Sequence, residues 1–137
     1  MLYKTIEIKT IEQENLGALS FFEAERDFPF PIKRIYYITQ VPEGSMRGFH
    51  AHKELKQLLF CPYGKVLLTL DNGKEKEEVL LDSPSKGVII DTPLWREMTW
   101  LCEGSVLTVA ASDYYCVEDY IRDYDEFLNF QKEKGAI

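Results

Sequence analysis

Apolar residues recur along most of the chain in short segments, in which they either alternate with polar residues or run on for a few positions. Strands that recur about every 8 to 12 positions, with turn residues between them, are typical of a sandwich or barrel. Asp71-Asn72-Gly73 is a hairpin signal between two such segments. The sequence therefore predicts an all-β fold with strands at residues 3–8, 18–22, 32–39, 49–52, 57–62, 65–70, 77–81, 87–90, 95–100 and 105–111.

Only the end of the chain has a helical pattern. Its apolar residues are Tyr120, Ile121, Tyr124, Phe127 and Leu128, and side chains at this spacing share one face of a helix. We expect a short amphipathic helix at about residues 117–132 that packs on the sandwich.

Composition limits the number of domains and the cellular context. A chain of 137 residues, 45% of them hydrophobic, is large enough for one core and too short for two. No apolar run approaches the ~18 residues of a membrane span, and residues 1–9 alternate instead of forming the apolar block of a signal peptide. We expect a single domain over residues 1–137, located in the cytoplasm.

The charge distribution excludes some partners. The net charge is -7 and no run of lysine or arginine is present, which argues against nucleic acid or an anionic membrane as a partner. An anionic small molecule fits only if arginines collect locally. Arg34, Arg47 and Arg96 all fall in segments that we expect around one pocket, although such residues are usually solvated in a protein of this size.

His50 and His52 are the only histidines of the chain and stand two positions apart. On a strand this spacing turns both imidazoles to one face, where two groups titrate near neutrality. Alone, such a pair is more often part of a surface strand or a hydrogen-bonded feature of the core than a functional site. The surrounding Gly44, Gln57 and Gly64 have the spacing of the first sequence motif of cupins, which this stretch resembles.

The second cupin motif has a weaker counterpart, with Gly87 followed by Pro93 and then Met98. In a metal-binding cupin the two motifs together supply three histidines and a glutamate, whereas here the corresponding positions hold His50, His52, Gln57 and Met98. A neutral amide lacks the anionic oxygen that divalent cations prefer, and a thioether is a poor ligand for hard ions. We therefore expect no metal site.

Two histidines in a metal-free barrel are suited to acid–base chemistry. One neutral imidazole accepts a proton while a neighbouring group donates one. Proton abstraction next to a carbonyl, followed by reprotonation of the enediol on the adjacent carbon, needs such a pair and no redox cofactor. Arginine, tyrosine or amide donors would stabilise the enolate oxygen.

Six short motifs carry a family resemblance that extends over nearly the whole chain. Together they resemble the WxcM-like cupins and, among these, the dTDP-4-keto-6-deoxyglucose 3,4-ketoisomerases. The motifs are IKRIYYI at 32–38, RGFHAHK at 47–53, DSP at 82–84, WREM at 95–98, ASDYY at 111–115 and DYIRDYD at 119–125.

This resemblance implies a cupin-type jelly roll and a homodimer. It also implies the isomerisation of a dTDP-linked 4-keto-6-deoxyhexose to its 3-keto isomer, on the way to a 3-amino sugar for surface polysaccharide. No metal and no cofactor would take part.

The resemblance also assigns the catalytic candidates. His50 and His52 match the histidine pair of the family, and we expect His52 to be the base at carbon 3 and His50 to serve the C4 oxygen, although the roles are exchangeable. Tyr36 shares a strand face with Arg34, and its phenol either donates to the enolate oxygen or belongs to the core.

Further residues are candidates for substrate binding. Arg47 suits the diphosphate, since an arginine fork fits phosphate oxygens, but its parity on the strand is opposite to that of the histidines. Arg96 has the parity of Met98 and should face the interior, where the resemblance links it to a gluco-configured product. Gln57 is expected to bind substrate or a histidine. Trp95 either stacks on thymine or lies in the core.

One position departs from the family pattern, and two other functions stay open. Leu16 stands where the family tends to have a polar or aromatic side chain near the sugar. A 3,5-epimerase is also a metal-free cupin with a histidine base, but usually pairs it with an aspartate, and none lies near His50 in the sequence. A non-catalytic cupin that binds nucleotide sugars is the other alternative.

Overall fold

The computed structural model describes residues 1–137, which form two five-stranded antiparallel sheets, a separate hairpin and one α-helix. The first sheet has the order β1-β9-β6-β11-β4, the second has the order β12-β5-β10-β7-β8, and β2 pairs with β3 alone. This is the predicted jelly-roll architecture. The strands are β1 (Lys4–Glu7), β2 (Lys9–Gln13), β3 (Gly17–Phe21), β4 (Arg34–Ile38), β5 (Met46–His52), β6 (Gln57–Tyr63), β7 (Val66–Asp71), β8 (Lys76–Leu81), β9 (Lys86–Ile90), β10 (Trp95–Trp100), β11 (Val106–Ala111) and β12 (Tyr120–Ile121).

The main core lies between the two sheets. Leu59 and Val109 of the first sheet belong to one buried cluster with Leu68, Leu70 and Trp100 of the second. Alternation along the strands produces this core, because every second side chain points inward. Burying these side chains away from water is the main stabilisation of the shell.

Strand β2 was not predicted, and it forms a projecting hairpin with β3. All five residues of β2 are exposed, so the segment has no buried face and no apolar alternation that a sequence pattern would detect. The hairpin leaves Ile11 and Leu19 more than half exposed, and Leu16 lies at its turn.

A bulge interrupts the pairing of β5 with β10. His50 is opposite Arg96 and Gly48 is opposite Glu97, so that Phe49 is an extra residue in β5. Gly48 and Phe49 both have positive φ angles, of 99° and 58°. A Cβ atom at position 48 would stand only 2.8 Å from the Arg96 carbonyl oxygen, so glycine also permits the close approach of the two strands.

The C-terminal helix α1 spans Tyr124–Glu133 and begins later than predicted. Residues Val117–Asp119 form a 3₁₀ turn, and Tyr120 and Ile121 then pair with β5 instead of starting the helix. The helix begins after Asp123, whose carboxylate accepts a hydrogen bond from the Glu126 amide at 3.0 Å. With ten residues, α1 is too short to cross a bilayer, and the fold has no other α-helix.

Candidate active site

His50 and His52 lie side by side at the end of β5. Their ring centroids are 5.0 Å apart and their planes are almost perpendicular. The Tyr120 ring, which β12 brings against β5, lies 5.1 Å from His50 and 4.4 Å from His52. The predicted pairing of the two imidazoles on one wall of the shell is therefore present, and Tyr120 is an additional neighbour that sequence reasoning missed.

His52 is paired with a carboxylate. Its Nδ1 atom lies 2.9 Å from Oδ2 of Asp119, and the other carboxylate oxygen accepts a hydrogen bond from the Glu54 amide at 2.8 Å. His52 is only 1% exposed, and its Nε2 atom is buried without a hydrogen-bond partner. No aspartate stands near His50 in the sequence, and this partner of His52 is 67 positions away along the chain. The only sequence feature that pointed to Asp119 was its position in the DYIRDYD motif.

His50 faces a cavity of about 290 Å³, near the lower end of the ~300–1,000 Å³ of ligand pockets. Three arginines and no carboxylate line this space, which we call the His50 cavity. Its lining residues are Arg34, Tyr36, Ile38, Arg47, Gly48, His50, Met98, Tyr115, Tyr120 and Arg122.

Arg47 lines the same cavity as His50, although strand parity predicted opposite faces. The bulge at Phe49 explains the difference, because one extra residue in β5 reverses the alternation before it. Arg47 and Arg122 are exposed, so both guanidinium groups stand at the solvent side of the cavity. Arg122 was not among the predicted residues.

A hydrogen-bonded chain connects Arg96 to the cavity. Arg96 is 2% exposed and donates from Nε and Nη2 to the Leu94 carbonyl, both at 3.2 Å, and from Nη1 to Oε1 of Gln57. The Gln57 amide then donates to the Tyr36 hydroxyl at 3.1 Å. Because the hydroxyl oxygen accepts this bond, the hydroxyl hydrogen is free to point elsewhere.

Burial and positive charge control the ionisation of the site. Burial first, and then the Arg96 charge, lower the pKa of His50 to about 4 and also lower the pKa of His52. Burial raises the pKa of Tyr36 and lowers that of Arg96 to about 10. At pH 7 the site therefore holds two neutral imidazoles, a neutral phenol and a guanidinium ion without a carboxylate partner.

The structure separates Trp95 from the other predicted binding residues. Its side chain lies in a small cluster with Ala51, Ile121 and Phe127 under helix α1, where its ring is 6.0 Å from the Phe127 ring. Stacking of Trp95 on a base is therefore wrong, and the alternative, a packing role, is correct. Alternation explains the result, since Met98 lies inside the shell and Trp95 has the opposite parity.

Arg34 and Leu16 are the remaining predicted positions. The Arg34 guanidinium lies over the rings of Tyr36 and Tyr115, at 5.3 and 5.7 Å, and its Nε is buried without a partner. Leu16 is 79% exposed on the projecting hairpin and does not line the His50 cavity.

A second cavity of about 220 Å³ lies on the His52 side of Tyr120. It contains three carboxylates and only one arginine, so its charge is opposite to that of the His50 cavity. We call it the Asp119 cavity, and its lining residues are Arg34, His52, Glu54, Leu55, Ser112, Asp113, Tyr114, Cys116, Asp119 and Tyr120.

Neutral imidazoles beside a fixed positive charge are suited to removing a proton next to a carbonyl, because the guanidinium stabilises the oxyanion that forms. No three His, Cys, Asp or Glu side chains are grouped to hold a metal ion, and a reaction without metal stays a prediction. A jelly-roll shell with paired imidazoles and a buried arginine on its inner wall defines a cupin with an acid–base site.

Comparison with known proteins places this cupin in a family. A family model described as FdtA: WxcM-like, C-terminal, matches residues 1–132, and the chain belongs to that family. The TDP-4-oxo-6-deoxy-alpha-D-glucose-3,4-oxoisomerase of Aneurinibacillus thermoaerophilus is 41% identical over 136 residues, which are 95% of this chain and 97% of the relative.

Solved structures agree with this placement. The sugar 3,4-ketoisomerase QdtA of Thermoanaerobacterium thermosaccharolyticum, solved in complex with TDP, is 41% identical and has a TM-score of 0.92, with 97% of this chain and 96% of that chain covered. The TDP-quinovose 3,4-ketoisomerase WlaRB of Campylobacter jejuni is 39% identical and has a TM-score of 0.87, with 93% and 97% covered.

Proposed function

We propose that this protein is a metal-independent 3,4-ketoisomerase that converts a dTDP-linked 4-keto-6-deoxyhexose to its 3-keto isomer through an enediol. The observation that carries the proposal is the His50 cavity, which combines a neutral imidazole with three arginines and no carboxylate. Such a cavity favours an anionic ligand with a carbonyl group. The activities of the relatives at 41% and 39% identity support the same reaction.

We propose His50 as the base at carbon 3, which reverses the preferred order of the sequence-based roles. His50 lines the cavity with the arginines, whereas His52 is 1% exposed and does not line it. A base must come within hydrogen-bond reach of the proton that it removes. The more accessible imidazole is therefore the better candidate.

Tyr36 is the proposed proton donor to the C4 oxygen. Gln57 donates to its hydroxyl oxygen, so the hydroxyl hydrogen is available to the substrate, and burial keeps the phenol protonated. When the phenol releases its proton, it becomes a phenolate. The positive charge of Arg96, which is hydrogen-bonded to Gln57, favours this phenolate. Arg96 thus stabilises the negative charge that passes from the sugar oxygen to Tyr36.

The proposed steps balance in protons. His50 takes the proton from carbon 3 while Tyr36 gives its proton to the C4 oxygen, which yields the enediol. Tyr36 then takes the proton of the C3 hydroxyl while His50 returns its proton to carbon 4. The product carries the ketone at carbon 3 and a hydroxyl at carbon 4, and both residues regain their initial states.

The diphosphate is proposed to lie at the cavity mouth, against Arg47 and Arg122. Both side chains are exposed there, and two guanidinium groups match the two phosphates in charge and can donate paired hydrogen bonds to their oxygens. Because the cavity itself is small, the nucleoside would extend beyond its rim. A gluco-configured product, associated with Arg96, is part of the proposal, and the quinovose-linked relative supports it.

Residues 1–137 are proposed to act as one domain in a cytoplasmic homodimer that supplies a 3-keto sugar for amination and surface polysaccharide synthesis. The family membership supports this context. Exposed apolar side chains on edge strand β4, Ile35 and Tyr37, and on the hairpin, Ile11 and Leu19, support the dimer. Sedimentation equilibrium measures the oligomeric state, and a monomer at micromolar concentration would contradict it.

Incubation with dTDP-4-keto-6-deoxyglucose after EDTA treatment tests the reaction. We expect NMR to detect the 3-keto isomer and, in deuterated water, no label at carbon 5. Label at both carbons 3 and 5 would instead indicate a 3,5-epimerase. An unchanged, unlabelled substrate that still binds would indicate a non-catalytic cupin.

A further inference from the structure

Asp119 contacts His52 through one carboxylate oxygen and the two residues after His52 through its other polar atoms. Oδ2 contacts Nδ1 of His52, Oδ1 accepts from the Glu54 amide, and the Asp119 carbonyl accepts from the Lys53 amide at 2.9 Å. Asp119 thus binds the two backbone amides that follow His52, one through its carboxylate and one through its main-chain carbonyl. Its position relative to the imidazole is fixed by the fold.

This contact determines the tautomer of His52. An ionised carboxylate has no hydrogen to donate, so Nδ1 of a neutral His52 must carry the hydrogen and Nε2 must carry the lone pair. Nε2 is buried and has no partner within the protein. The His50 and Tyr120 rings are the aromatic neighbours of the His52 ring. The negative end of the imidazole dipole therefore lies in the interior.

The reaction places a positive charge on His50, which its surroundings oppose. The positive groups that act on the two imidazoles are Arg96, Arg34 and Arg122, and Asp119 is the carboxylate in contact with either ring. In a water-poor site, a charge on His50, whose ring centroid is 5.0 Å from that of His52, interacts strongly with the His52 dipole and with the carboxylate bound to it. His52 and Asp119 thus provide the negative potential that proton transfer to His50 requires.

We propose that Asp119 is a positioning residue for the reaction: it fixes His52 with Nδ1 protonated, so that the Nε2 lone pair and the carboxylate stabilise the His50 imidazolium. This inference rests on the proposed function, in which His50 is the base. His52 acts as an electrostatic partner of His50, which accounts for a buried, polar and otherwise unused imidazole.

The substitution Asp119→Asn tests the inference with little change in shape. The Asn side-chain oxygen can still accept the Glu54 amide, but its NH₂ group then faces Nδ1 of His52 and forces the hydrogen onto Nε2. The dipole next to His50 is reversed and a negative charge is lost. We expect kcat to fall by about 100-fold while KM changes less than about threefold, as for a general-base contribution of ~10²- to 10⁴-fold.

Imidazole ¹⁵N NMR reads the tautomer without any turnover. The protein has two histidines, so a His50→Asn background leaves one imidazole to assign. We expect His52 to be protonated at Nδ1 in the native protein and at Nε2 after Asp119→Asn. In the variant that retains both histidines, the pKa of His50 should fall further below its native value.

Asp113→Asn is the matched control, because Asp113 lines the same cavity and makes no contact with either histidine. It should leave the tautomer and kcat unchanged. Protonation of native His52 at Nε2, or an Asp119→Asn variant with native kcat, would overturn the inference. If Asp119→Asn does not fold, the native spectrum alone decides. An inactive native protein that nevertheless shows Nδ1 protonation would contradict the proposed function while leaving the tautomer assignment standing.

Discussion

The two cavities on either side of Tyr120 differ in charge although they share one wall. The His50 cavity contains three arginines and no carboxylate, and the Asp119 cavity contains three carboxylates and one arginine. Each histidine belongs to one of them. His50 lines the cavity whose arginines attract an anion, and His52 lines the cavity in which Asp119 accepts its Nδ1 hydrogen.

The opposite charges of the two cavities explain how two identical side chains, two residues apart, acquire different roles. Both imidazoles are neutral at pH 7 because of burial and the Arg96 charge. His50 keeps access to the open, positive side, so a bound anion can bring a reacting carbon to it. His52 is closed off and fixed by Asp119, so it can act only through its neighbours.

His50→Asn should have the largest effect, because it removes the proposed base. We expect kcat to fall by at least about 1,000-fold, within the range for a general base, while the Kd for TDP changes only a few-fold. Titration calorimetry and a turnover assay measure the two quantities. Retention of more than a tenth of native activity would contradict the assignment of His50 as the base and would favour His52 instead.

The native protein should also show the pKa of this base in its pH profile. Only neutral His50 accepts a proton, so kcat/KM falls when the pH approaches its pKa of about 4 from above. We expect kcat/KM to be constant from about pH 6 to 8 and to decline below about pH 5, where the stability of the fold must be monitored by circular dichroism. A decline centred near the ordinary histidine pKa of ~6.5 would contradict the burial argument.

Tyr36→Phe removes a proton donor but leaves the shape of the cavity. We expect kcat to fall by about 100-fold, because water would have to protonate the C4 oxygen instead. The Gln57 amide also loses its acceptor, so thermal unfolding should be compared with that of the native protein. If Tyr36→Phe has the same kcat as the native protein, the Tyr36 phenol has only a packing role in the core.

Arg47→Ala should have the smallest effect on chemistry, because the guanidinium lies at the cavity mouth. We expect KM to rise about tenfold with kcat within about threefold, and the rise should shrink at high salt because exposed charges are screened. Cys116→Ser, on the Asp119 side, is the control and should change neither value by more than about twofold. A larger effect of Cys116→Ser than of Arg47→Ala would indicate that the anion binds in the Asp119 cavity and would contradict the proposal.

Most strands could be predicted from the sequence, because alternation reports directly which side chains become buried. Edge strand β4 behaves as expected, with Arg34 and Tyr36 inward and Ile35 outward. Alternation alone gives no signal for β2, whose side chains are all exposed, or for the β12 pairing that delays the helix. Strand β2 pairs locally with β3 and buries no face, whereas β12 depends on a contact with β5 that is distant in the sequence.

Alternation along the strands also predicted part of the site. The histidine pair, Arg96, Gln57 and Tyr36 come together because they lie on inner faces of their strands. Asp119 and Arg122 were missed, since only the fold brings the segment after β11 to β5. Arg47 was assigned to the wrong face because the bulge at Phe49 cannot be seen in a pattern of period two.

The bulge also limits how this wall of the shell can evolve. Deleting one residue between Arg47 and His50 would restore regular alternation and send either the arginine or the imidazole to the outside. Length changes in the neighbouring turns would leave both in place. We therefore expect insertions and deletions among functional relatives to be tolerated in loops and to be absent from residues 47–50. The number of residues in this segment determines whether both side chains face the cavity.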